Sequence, residues 1–380
     1  MRSLTRILIL LCALLSALCA SAAPLVVPLD LPKGFQPYSI SAVGNGVFCM
    51  AGEITDKDDG THVAMPVAVV DIVAKKTRWI TSIPMDEDFV NGSARGCVTD
   101  GHAYYALSQA TTYAGQGRSP GALALTRISL DGKLEKHSQL DIGFGDWVNS
   151  LSLQDGVFYI EGGSHDPEQR GRGEFSTFLA KYDKNFKQLE KIMLPTGAMY
   201  GEAVIHNDHL FVAGTFMPNN GAGSKVKNAF AISSINLKTR KYVWSKYITP
   251  NDIIPGEEEA TFLNDGTAVY MALTTKGIII KQITKNGRVS SETPIKSPLC
   301  SLDGFALTQN GKFILIGHEM CDKAHEDSHV IYSMDSRTKE IHSIGKVKGD
   351  LGVSTIDNGK FIAFSSLGRK NMILTIFNIQ

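Results

Sequence analysis

One short signal recurs seven times along the chain: a turn dipeptide of Asn or Asp followed by Gly, once by Asp, set between two apolar runs. The dipeptides are Asn45-Gly46, Asp100-Gly101, Asp155-Gly156, Asn207-Asp208, Asp265-Gly266, Asn310-Gly311 and Asn358-Gly359, and their second residues lie 55, 55, 52, 58, 45 and 48 apart. Such pairs tolerate the positive φ that a tight hairpin turn needs, so each predicts a β-hairpin. Three and four residues past each turn both positions are apolar, as in Cys49 and Met50, Tyr104 and Tyr105, or Ile362 and Ala363. Neighbouring strand positions face opposite sides, so each hairpin is covered on both faces.

A second hairpin follows in six of the units, as in VAVVDIVAKKTRWI and FAISSINLKTRKYVW. Four antiparallel strands per repeat, each sheet sandwiched between neighbours, is the arrangement of radially packed blades. The expected fold is all-β: a seven-bladed β-propeller forming a single domain over residues 23–380. The blades fall at about 37–83, 92–140, 147–194, 200–248, 257–295, 300–347 and 351–380 plus 24–32. The split last blade follows from its ends. After the seventh hairpin only NMILTIFNIQ remains, one strand too few, while LVVPLDL at Leu25–Leu31 has no partner of its own. Laid beside the C-terminal strand it closes the ring, and Pro28 is acceptable on an outer edge.

Residues 1–22 carry Arg2 and Arg6, an apolar run from Ile7 to about Leu18, and small residues before a cleavage point after Ala22. That is the pattern of a secretory signal peptide, too short in its apolar part to span a bilayer, so a monomer without membrane insertion is expected in a periplasm or outside the cell. With 38 basic and 38 acidic side chains the chain has no electrostatic footprint for nucleic acid.

On these repeats the chain resembles the seven-bladed propellers of the quinoprotein and YVTN-like group, in architecture and over essentially its whole mature length. It has no repeated Trp-Asp ending, no repeated Ala-Trp docking pattern and no CxxCH haem attachment, so the resemblance implies the ring and not the cofactor chemistry.

Four cysteines follow the signal segment. Cross-strand partners about Asn310-Gly311 have numbers summing to 621, which pairs Cys300 with Cys321 and predicts a disulfide there. The same counting points Cys49 and Cys97 in one rotational sense, so they are read as separate buried thiols.

The loops joining second to third strands are long in most blades, which makes their face the expected working surface. Where innermost strands enter from that face, Arg95, Asn149, Glu202, Glu258, Glu259 and Asp303 converge as candidate ligand-binding residues. Their carboxylates suit a basic group or a divalent cation; no other cofactor is indicated. His318, His325 and His329, in HEMCDKAHEDSH, are weak metal candidates. Tyr113, Phe144, Trp147 and Tyr200 lie in links and loops of the same face and could anchor a partner. The sequence holds no G-x-S-x-G elbow, so the favoured reading is a binding or scaffold propeller that engages a protein or peptide partner. A lyase or hydrolase, metal-assisted at the axial entrance, is the alternative.

Overall fold

A computed structural model describes residues 24–380 except 56–61, 86–88, 90, 112–120, 143, 166–174, 195–197, 218–228, 249–251, 264, 291–293, 309–310, 320–327, 336, 358, 368–370 and 380. Its strands form seven antiparallel sheets in sequence order. The innermost strands are Phe35–Gly44, Asn91–Thr99, Phe144–Gln154, Ala198–His206, Ile253–Phe262, Ser301–Leu307 and Asp350–Asp357. Six blades have four strands. In blade five the sheet has three, and the outer position is marked by two bridges, Ile283 with Val289 and Ile278 with Ile295. The leading segment Leu25–Pro28 pairs with the C-terminal strand Asn371–Asn378, Leu25 opposite Ile376 and Pro28 opposite Ile373. The ring therefore closes as the unmatched ends require.

Doubly apolar second strands have their physical consequence in the cores. Seven clusters of buried side chains occur among the described residues, and each spans two adjacent blades. Phe48 and Met50 pack toward blade seven with Phe364 and Leu374, while Val47, Cys49 and Ala51 pack toward blade two with Tyr104 and Ala106. Stability thus resides between blades. Twice the outer strand adds a clasp: Trp79 lies against Gly132 and donates from Nε1 to Leu130 O at 3.0 Å, and Trp244 lies against Gly287 and donates to Lys285 O at 2.9 Å.

Val27 and Leu29 of the closing segment are buried in the blade seven to blade one core. Removing residues 25–31 exposes that seam and gives up two buried side chains worth about 1.5–3 kcal/mol each. We expect the truncated chain to unfold several degrees lower, measured by thermal melts followed by far-UV circular dichroism. An unchanged melt would mean the ring does not depend on this strand.

The cysteine reading needs correction. Cys49 and Cys97 form a disulfide, with Cα atoms 5.9 Å apart. The error lay in treating all seven turns as two-residue turns. Blade one turns at two residues, Gly44 pairing with Val47, but in blade two Thr99 pairs with Tyr104, leaving four residues, Asp100 to Ala103, between the paired positions, with Ala103 opening the second strand. This added length puts Ala103 rather than His102 in the place of Val47, which flips the facing of the whole second strand. Cys97, on the side of Tyr104 and Ala106, therefore looks back at Cys49. Register also differs in blade six, where Leu307 pairs with Phe313 and Ser301 with His318, so cross-strand partners there do not sum to 621. Cys300 is nonetheless disulfide-bonded. Cys321 lies outside the described residues, as do the signal segment, Tyr113 and His325.

Candidate functional site

Five innermost strands carry a single-residue bulge near the loop face: Tyr38, Arg95, Asn149, Asp303 and Gly352 each stand unpaired between two paired neighbours. In blade five the register shifts between Ile253 and Glu258, and only in blade four does the inner strand pair without a shift, Glu202 opposite Ala213. A bulge bends its strand and re-aims one side chain. Here it is repeated around the axis. In blades one, three and six the second strand accommodates the bend with glycine, whereas Ser108 and Ser365 hold the same place in blades two and seven. A Cβ on Gly52, Gly162 or Gly317 would lie 2.1, 1.9 or 2.0 Å from the carbonyl oxygen of Gln36, Trp147 or Ser301 on the inner strand. Sequence reasoning missed this device although its mark is legible in three blades: Gly52, Gly162 and Gly317 each stand six residues past the turn's second residue.

Between the inner strands lies a cavity of about 350 Å³ lined by Ser39 and Ser41 of blade one, Arg95 of blade two, Asn149 of blade three, Glu202 of blade four and Phe262 of blade five. The Arg95 guanidinium sits 4.0 Å from the centre of the Tyr38 ring, a cation–π contact that holds its plane. Burial, and then a hydrogen bond to Glu53, pushes the Tyr38 hydroxyl up to about 12, so it stays a donor. Asn149 Nδ2 donates to Glu161 Oε1 at 3.2 Å. Glu161, on the second strand of blade three, is 1% exposed, and burial raises its carboxyl to about 8.

The acidic side of the axis is formed by blades four to six. Glu202 is reached by solvent through the cavity, yet the surrounding walls displace enough bulk water to raise its carboxyl, against a hydrogen bond from Thr261. Glu259 is raised to about 7, first by burial and then by the charges of Glu202, Asp303 and Glu257; Phe305 N–H donates to its Oε2 at 3.2 Å. Glu257 accepts from Leu302 N–H. Glu258 accepts the hydroxyl of the buried Tyr270 at 2.7 Å, so this carboxylate is tied to the core of blade five. Asp303 is met by two imidazoles: His329 Nδ1 at 2.7 Å and His318 Nε2 at 3.2 Å from its Oδ2.

Of the expected partner-binding aromatics, Trp147 is half-buried and lies across Gly163, its Cζ2 1.8 Å from where a Cβ would stand. Phe144 and Tyr200 occupy inner strands of blades three and four, with side chains outside the described set. Glu161 was not anticipated at all. A lone acid in the apolar second strand VFYIEGGSH is the signal that could have found it.

Ring, blade number and strand order make this a seven-bladed β-propeller, and the comparisons with solved structures agree with that class. The chain is similar to the β-propeller domain of the Trilobed protease from Pyrococcus furiosus, described as having an open velcro topology, at 11% identity and TM-score 0.52 over 91% of this chain and 94% of that one. It is also similar to puromycin hydrolase, in an S511A mutant complexed with PGG, at 12% identity and TM-score 0.54 over 89% of this chain; it spans 53% of that protein's length. No protein-family model and no curated protein matches the chain. At these identities the likeness is one of fold.

Proposed function

We propose that the protein is a secreted or periplasmic binding propeller whose axial cavity receives a peptide segment of a partner through the loop face. The observation that carries this reading is the polarity of the cavity: a guanidinium from blade two and a carboxylate from blade four line one space of about 350 Å³. Among the described residues Arg95 Nε is buried with no hydrogen-bond partner, a donor that a ligand oxygen would satisfy. Ser39, Ser41 and Asn149 add neutral polar groups suited to peptide amides. A ligand with an anionic and a cationic group, as a short peptide has at its two termini, complements both walls. Disulfides at Cys49–Cys97 and at Cys300 fit an oxidising compartment, in support of the exported reading.

Calorimetry with a panel of tripeptides, each also N-acetylated and C-amidated, tests this. Blocking either end should weaken binding, and Arg95→Ala should cost tenfold or more, the worth of about one charge-assisted hydrogen bond. Equal binding of free and blocked peptides would refute the two-charge reading. Catalysis at the same mouth has one observation in its favour, Glu259 near neutrality, which lets a carboxyl hold or release a proton. Its test is turnover of the same tripeptides, lost in Glu259→Gln.

A further inference from the structure

We infer that Asp303, His318 and His329 form a binding site for a first-row divalent metal ion of the zinc or cobalt kind, at the loop-face end of blade six. The three residues come from three strands. Asp303 is the bulge of the inner strand Ser301–Leu307, His318 ends the second strand Lys312–His318, and His329 opens the third strand Ser328–Asp335. Their ligand atoms lie within 4.8 Å of one another. Donors each about 2.0–2.2 Å from a shared ion stand about 3–3.5 Å apart, so the 2.7 and 3.2 Å separations from Asp303 Oδ2 need to open only slightly. The two rings are 4.6 Å apart, close enough to share an ion. Two imidazoles and one carboxylate select a borderline metal over calcium or magnesium, and the side chains, 29%, 34% and 14% exposed, leave room for a solvent ligand.

The hydrogen bonds also define what uptake must change. His329 Nε2 accepts the Leu351 N–H at 3.2 Å, so its proton is on Nδ1 and points at Asp303. A metal taking Nδ1 sends that proton to Nε2 through solvent, and two donors then face each other. Metal binding is therefore coupled to release of the Leu351 amide, one residue before the bulge of blade seven. The site is separate from the Arg95 and Glu202 cavity, so either proposal can fail alone.

The experiment uses the full mature chain, stripped with a chelator and titrated with CoCl2, then ZnCl2. The expected result is about one equivalent of Co2+ with d–d absorption that Zn2+ abolishes, faster hydrogen exchange at Leu351, and affinity lowered more than tenfold in His318→Ala and Asp303→Asn. Circular dichroism checks that the variants fold, and His318→Gln serves where His318→Ala does not. No binding at tens of micromolar metal, binding unchanged in both variants, or binding that leaves the Leu351 amide unaffected would overturn the assignment. Loss in His325→Ala with retention in His318→Ala would do the same, by naming a different ligand set.

Discussion

Glu161→Gln is expected to stabilise the folded protein by about 3 kcal/mol near neutral pH, with the gain vanishing toward pH 4. Buried to 1% exposure, the native carboxyl keeps its proton up to about pH 8, whereas an ordinary glutamate releases it near 4.5. Between those values the native state binds a proton that the unfolded chain has given up. Stability contributed at this position is thus full below about pH 4.5 and falls as pH rises, levelling off above about 8. Each unit of that window corresponds to about 1.4 kcal/mol. Glutamine removes the titration and keeps the acceptor for Asn149 Nδ2. Its amide takes the place of Oε2, an atom with no hydrogen-bond partner among the described residues, so the change in unmet polar groups is small. Urea unfolding of both proteins from pH 4 to pH 9 measures the difference. A difference independent of pH would show that Glu161 titrates as an exposed acid does.

That carboxyl also shows where sequence reading runs out. Blade number, order and the closing strand were legible because they depend on hydrophobic periodicity and on turns, which are local. Orientation was not. Whether Cys97 faces forward or back depends on the length of the Asp100 loop, and whether Arg95 is paired or bulged depends on backbone register, which a dipeptide motif does not report. The acidic candidates divide for the same reason. Glu202 and Asp303 stand near enough to Glu259 for their charges to raise it, whereas Glu258, one residue from Glu259, belongs to the Tyr270 core because strand neighbours alternate. The histidine cluster gained its carboxylate from the inner strand, 15 residues before His318 in sequence, a pairing that only the hairpin's register creates.

Loss of the Cys49–Cys97 bond in a Cys49→Ala/Cys97→Ala chain should cost about 4 kcal/mol. The bond spans 48 residues, and closing a loop of that size restricts the unfolded chain by about that amount. Both side chains are buried, at 0% and 1% exposure, so the double variant is preferable to a single one, which would leave a buried reactive thiol. The position adds to the effect. The ring is closed inside blade seven, where Leu25–Pro28, which leads directly into blade one, pairs with Asn371–Asn378. If unfolding starts by opening that closure, blade one is next to peel away, and the bond to blade two is what resists it. The cost of the double variant should then be greater in a chain lacking residues 25–31 than in the intact one. Additive costs, within about 0.5 kcal/mol, would mean that closure and disulfide act independently and that the ring opens elsewhere.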